Sequence, residues 1–280
     1  MKKKNSSRAF VAKRPKSAHK KPKISKFNSE DSSKILLFGT HPCLQAILNK
    51  RRKIYQIFTT KNSHDELLLF LKKNNLIHLQ NFIKKSDKYQ LDRMVGEDHN
   101  HQDLVISATK LPIKNQIDLL EMLHNQDQKK QMPNILILDQ ITDPHNIGAI
   151  IRSAAAFNFN IIVFSQHNSV QENSVIAKSA AGNLEFMHPY FASNINDLII
   201  KLKKLDYWNI GLSGESKNDI SQITKYQNKA VILGSEGKGI RHLVKKNCDI
   251  LLKIDICNNV ESLNVANAAA IALFAASKVR

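Results

Sequence analysis

Cysteine is scarce in this chain, and long apolar runs are absent. The 280 residues contain three cysteines, Cys43, Cys248 and Cys257. An odd, widely spaced set excludes a disulfide framework, offers no zinc-ligand pattern, and fits free thiols in a reducing compartment. No metal is expected. The longest apolar run, Ala268 to Ala276, is short and Ala-rich. It falls far below the roughly 20 residues of a membrane-spanning helix, so no membrane role is expected. No secretory apolar core is found near the start.

Acid is missing from residues 1–29 as well. Over residues 1–33, eleven lysines and arginines face only Glu30 and Asp31, a net +9 and half of the chain's +18. Apolar residues are few there, and Pro15 and Pro22 interrupt any helix. Such a segment cannot bury enough surface to offset its ordering entropy, so residues 1–33 read as a disordered basic arm. It reads either as a solvated tail or as an arm that grips RNA phosphates. An organelle transit peptide is a third reading, although the arm is Lys-rich rather than Arg-rich. The net charge asks for a polyanionic partner, with nucleic acid before an anionic membrane.

Globular patterning begins near Ile35. Helix patterns over 41–50, 65–74 and 87–94 alternate with strand patterns over 54–60, 76–79 and 103–109. This predicts a small α/β unit over residues 34–110. Residues 111–132 are polar, with an amphipathic stretch near Ile117 to Leu123, and read as a linker. In residues 133–280, apolar strands over 135–138, 161–164, 209–212, 230–233 and 250–254 alternate with helices. The helices are expected over 147–157, 172–181, 195–205, 240–246 and 262–277. That alternation predicts an α/β fold with a parallel sheet covered on both faces. Ligands in such folds sit beyond the carboxyl ends of the strands. No internal repeat is found.

Three polar or glycine-rich loops fall at those ends. Leu233-Gly234-Ser235-Glu236-Gly237-Lys238-Gly239-Ile240 follows one strand. It lacks the Lys-Ser/Thr pair of a P-loop and sits in the wrong βα unit for a dinucleotide fingerprint. Asp143-Pro144-His145-Asn146-Ile147-Gly148-Ala149-Ile150-Ile151-Arg152 follows another, and Ser262-Leu263-Asn264-Val265 opens the last helix. Together and in this order, these segments resemble the three motifs of the SpoU/TrmH family of RNA ribose 2′-O-methyltransferases. The resemblance runs from about Phe38 to the end. Phe38-Gly39-Thr40-His41-Pro42 and His101-Gln102 are similar to the small substrate-binding domain of the bacterial 23S rRNA guanosine 2′-O-methyltransferases.

This resemblance implies an L30e-like first domain and a catalytic domain of the SPOUT superfamily, whose parallel sheet carries a C-terminal trefoil knot. It implies S-adenosyl-L-methionine as cofactor, RNA as substrate, a homodimer and a cytoplasmic setting. Gly234, Ile254 and Leu263 match cofactor-binding positions, although Ile254 and Leu263 would also serve as ordinary core. Ser213 and Gly214 would line the same pocket. Arg152 is expected to orient the RNA phosphate and polarise the ribose hydroxyl; a surface salt bridge is its plain alternative. Arginine is a difficult general base because its pKa exceeds about 12. Asn146 would orient Arg152 or the ribose, or else cap the helix that starts at Ile147. Glu236 would fix its loop by accepting backbone N–H groups and reach Arg152 of the partner subunit, or be a solvated turn acid. Ser262 and Asn264 are expected to cap the final helix beside the cofactor. His145 would touch RNA or be structural.

Departures from the family pattern are Asp255 where proline is usual, Asp103 where glycine follows His-Gln, and Asn183 at a small-residue position. Other readings are a tRNA ribose 2′-O-methyltransferase, a non-catalytic RNA-binding or ribosome-assembly protein on the same scaffold, and, more distantly, a nicotinamide oxidoreductase.

Overall fold

The first sheet forms because residues 34–109 supply short apolar segments separated by helices with one buried stripe. In the computed structural model, which describes residues 33–126, 132–166 and 171–278, the elements are β1 (Lys34–Phe38), α1 (Thr40–Leu48), β2 (Ile54–Thr59), α2 (Lys61–Lys73), β3 (Ile83–Lys85), α3 (Lys88–Val95) and β4 (Leu104–Thr109). β4 runs antiparallel between β1 and β2, and β3 lies parallel to β2 at the edge. Apart from Ser33, the basic arm lies outside the described residues. The strand expected over 76–79 is instead part of a 3₁₀ helix, Ile77–Phe82, followed by β3. Only Leu79 of that helix is buried, and so short an apolar pattern does not distinguish the two conformations.

The second sheet contains β5 (Lys114–Asn115), β6 (Ile135–Asp139), β7 (Ile161–Ser165), β8 (His188–Ala192), β9 (Trp208–Leu212), β10 (Lys229–Gly234) and β11 (Ile250–Leu252). Its helices are α4 (Gln116–His124), α5 (Pro144–Ala156), α6 (Ser174–Ser179), α7 (Ile195–Lys203), α8 (His242–Asn247) and α9 (Val265–Ser277). The order is β11-β9-β10-β6-β7-β8-β5, and every pairing is parallel. Alternation splits the core. Leu136, Leu138, Val231 and Leu233 face one way, with buried residues of α5 and α9. Ile135, Ile137, Ala230 and Ile232 face the other, with α4 and α7. Both faces are therefore covered, as the continuous apolar strands require.

Three expectations are corrected. The interval 111–132 is not a bare linker: β5 pairs with β8 and α4 buries Leu119 and Leu123 against the second sheet. An Asn115–Asp118 capping box starts α4. β8 was not expected, because Pro189 in His188-Pro189-Tyr190-Phe191-Ala192 masks a strand pattern. The last helix starts at Val265 rather than at Ser262, and β11 ends at Leu252 rather than at Ile254.

The two sheets share one core. Ile35, Leu37, Ile57 and Ile106 belong to the same apolar cluster as Leu136 and Ile147. Buried Arg52 crosses the junction. Its Nε donates to both Glu185 carboxylate oxygens at 2.8 and 2.9 Å, one terminal nitrogen reaches Glu172 Oε1 at 2.6 Å, and the other reaches the Thr109 carbonyl at 2.7 Å.

Candidate active site

The ends of β6 and β10 lie side by side, with Gly234 in register with Asp139. From β6 the chain passes to β7 on one flank, while β10 fills the other, which makes this rim a topological switch point. Loops 140–143, 213–219, 235–241 and 253–264 all leave from it.

Asp139 is fully buried at the end of β6. It accepts the Arg241 backbone N–H at 3.0 Å and Arg241 Nε–H at 2.8 Å, so the far end of the glycine-rich loop is pinned to the central strand. The near end turns back on itself: Gly239 N–H donates to the Ser235 carbonyl at 2.8 Å. A Cβ on Gly234 would sit 1.9 Å from the Gly239 carbonyl carbon, so only glycine fits this backbone approach.

The next loop is capped by Asp143, whose carboxylate accepts His145 N–H at 3.1 Å and Asn146 N–H at 3.2 Å, with Pro144 in the first helical turn. Asn146 is thus not the helix cap, which frees its side chain. Asn146 Nδ2 donates to Glu236 Oε2 at 3.4 Å, and Asn146 Oδ1 accepts from Asn264 Nδ2 at 2.9 Å. Asn264 Oδ1 caps α9 by accepting Ala266 N–H at 2.9 Å. One hydrogen-bond chain therefore ties all three motif loops together.

Several residues take other places than expected. Glu236 bonds Asn146 rather than backbone N–H groups, because the loop's own backbone closes it. Ser262 is exposed, makes no hydrogen bond among the described residues, and does not cap α9. Arg152 is exposed on α5 and pairs with no acid among the described residues. Six residues separate it from Asn146, about 9 Å along the helix. Within one chain it is not brought to Glu236. His145 is exposed, with Nδ1 3.4 Å from Ser179 Oγ.

The expected cofactor positions line the same rim. Ser213 N–H donates to the Leu252 carbonyl at 2.9 Å, Lys253 N–H to Asn218, and Ile220 N–H to Lys253, both at 2.8 Å. These bonds lay the strand that enters Ile254 beside the loop after β9. Ile254 and Leu263 are half-buried. A Cβ on Gly214 would meet nothing within 4 Å, so open space adjoins this backbone. Main-chain groups beside half-buried aliphatic side chains suit a nucleoside-bearing cofactor. Asp255 forms an exposed ion pair with Lys253 at 2.7 Å. Among the described residues, no cluster of His, Cys, Asp and Glu is placed to hold a metal ion.

The profile described as the SpoU rRNA Methylase family matches residues 133–274, which carry all three loops. The chain belongs to this family. A second profile, RNA 2′-O ribose methyltransferase substrate binding, matches residues 36–114. The chain is 30% identical over 245 residues to the 23S rRNA (guanosine-2′-O-)-methyltransferase RlmB of Vibrio cholerae, covering 88% of this chain and 97% of that protein. It is 30% identical over 250 residues to the protein of the same name in Escherichia coli K12, covering 88% and 98%. Among solved structures it shares the fold of the SpoU methyltransferase AviRb from Streptomyces viridochromogenes, in complex with AdoMet, with a TM-score of 0.69. That match is 18% identical and covers 88% of this chain and 90% of the other. An AdoMet-bound rRNA methyltransferase from Sinorhizobium meliloti gives 0.68 at 17% identity, covering 87% of each chain.

Within this SpoU-family site, sequence reasoning missed Asp139 and Arg241. The available signal was an acid directly after the run Ile135-Leu136-Ile137-Leu138, at a position where burial demands a partner.

Proposed function

We propose that this chain transfers a methyl group from S-adenosyl-L-methionine to the ribose 2′-oxygen of a guanosine in 23S rRNA. The observation that carries this reading is the likeness to the RlmB proteins along 88% of the chain, spanning both units. The hydrogen-bond chain through Asn264, Asn146 and Glu236 supports it locally.

When bound, S-adenosyl-L-methionine supplies an electrophilic methyl group. Ser213, Gly214, Gly234, Ile254 and Leu263 would hold it, largely through main-chain groups. A guanidinium offers donors and no acceptor, so the role of Arg152 is to bind an RNA phosphate and orient the ribose hydroxyl. Asn146 and Glu236 hold the loop in which the ribose lies, with Asn264 bracing Asn146 and Ser262 facing the substrate side. The knotted C-terminal end expected of the SPOUT superfamily is part of this proposal.

We further propose a homodimer. Ile271 and Phe274 on α9 are 39% and 47% exposed, and the Phe274 ring lies 5.6 Å from Phe157 at the end of α5. A second copy covering this face would approach Arg152 of each α5. Sedimentation should give a dimer, and Phe274→Glu should give a monomer. No helix among the described residues is long and apolar enough to cross a membrane. The cytoplasm, where ribosomes are assembled, is the setting this function implies.

The test is transfer of labelled methyl to unmodified 23S rRNA and to tRNA side by side, with the labelled nucleotide mapped. A 2′-O-methylguanosine in 23S rRNA is the expected product. Label confined to tRNA overturns the substrate, and bound cofactor with no transfer overturns the enzyme.

A further inference from the structure

The loop before β4 is built to display one side chain. Gln102 and Asp103 both adopt positive φ, at 51° and 60°. Such strain in non-glycine residues persists only where surroundings over-determine it, and here they do. Buried His101 accepts Asp103 N–H on Nδ1 at 2.9 Å, which leaves Nε2–H to donate to Asp92 at 3.1 Å. Asn100 Oδ1 accepts Gln102 N–H at 3.1 Å, and the Asp103 carbonyl accepts from Ser63 Oγ at 2.9 Å.

The exposed Gln102 amide has a fixed polarity. Its Oε1 accepts from Lys178 Nζ at 2.8 Å and from Thr40 N–H at 3.2 Å. The carbonyl end is consumed, so Nε2 is left to present two donors. Gly39 makes this possible, because a Cβ there would stand 2.3 Å from Lys178 Nζ and 3.0 Å from Gln102 Oε1. Gln102 lines a cleft of about 270 Å³ whose walls include Leu44, Leu67, Phe70 and Glu66. Glu66 is exposed and has no hydrogen-bond partner among the described residues.

We propose that this cleft binds an unpaired guanine base of the substrate RNA. A free glutamine favours adenine, donating to N7 and accepting from N6. With Oε1 sequestered, Gln102 offers donors alone, which match the guanine acceptors O6 and N7. The Glu66 carboxylate offers acceptors, which match guanine N1–H and the 2-amino group. Apolar walls suit the base faces, and single-stranded RNA is commonly read in this way. The cleft is linked to the methylation site. Ser179, next to Lys178, lies against His145, the neighbour of Asn146. The inference rests on the RNA-methylation reading and adds the base that the first unit selects.

The experiment is a pair of double-mutant cycles with full-length protein and transcribed 23S rRNA, read both as filter-binding affinity and as kcat/KM for methyl transfer. Replacing guanosine by 7-deazaguanosine should weaken wild type about tenfold and Gln102→Leu by no further factor. Replacing it by inosine, which lacks the 2-amino group, should do the same for wild type and Glu66→Leu. S-adenosyl-L-methionine affinity should be unchanged in both variants. Independent, multiplying losses in both cycles overturn the guanine cleft. If Gln102→Leu does not fold, the Glu66 cycle decides. If wild type binds rRNA but transfers no methyl, the enzyme reading falls and the affinity cycles alone decide the cleft.

Discussion

Asn146 and Asn264 show how much a short motif says about single residues. Their chemistry marks both as cap or ligand side chains, and the fold gives Asn264 both tasks at once: it caps α9 with Oδ1 and donates to Asn146 with Nδ2. Asn264→Asp should therefore retain the cap and thermal stability but slow methyl transfer, since no donor faces Asn146. Asn264→Ala should lose about 1 kcal/mol as well, read by thermal unfolding. The pairing of Asp139 was not legible, because Arg241 lies 102 residues away and no local pattern joins the two. Asp139→Ala should destabilise by about 2 kcal/mol in urea and weaken cofactor binding by releasing the glycine-rich loop. Gly39→Ala should lower both stability and RNA affinity, since φ is 93° and the new methyl would displace Lys178.

At the scale of elements, the strands β6, β7, β9 and β10 were legible because a parallel strand covered on both faces reads as a near-continuous apolar run. β8 and β5 were not. His188 is exposed, Pro189 breaks the strand signal, and two-residue β5 has no pattern at all. Helix bodies were legible from spacing, while starts shifted by up to four residues, as for α2, which begins at Lys61. Asp143 rather than Asn146 starts α5, since proline at the first helical position leaves Asp143 as the cap.

At the scale of the whole molecule, the Arg52, Glu172 and Glu185 cluster holds the two sheets in one orientation. Arg52→Ala would leave two buried carboxylates without their cation and should destabilise the protein by about 3–5 kcal/mol, with loss of docking seen as faster amide exchange in β1 and α6. Burial pushes the Glu172 carboxyl above the usual glutamate value, with Arg52 opposing. The folded state then holds that proton more tightly than the unfolded chain does. Its contribution is complete below the unfolded pKa and is lost as pH rises through the folded one. Glu172→Gln, which does not titrate, should gain stability relative to wild type as pH rises from about 4 to about 7, measured by urea unfolding.

The sequence by itself determined the class of fold, the parallel sheet, the loops at its carboxyl ends, and the motif residues those loops carry. These are local signals: period, apolar runs, caps and glycines. The docking of the two units, the Asp139 anchor, the free orientation of Arg152 and the fixed polarity of the Gln102 amide were decided by the tertiary structure alone. The docking, the anchor and the amide polarity each depend on a buried charge or a hydrogen bond between residues far apart in the chain, and Arg152 is left exposed by the way α5 packs. The energy of such a contact exists only once the core has brought its members together.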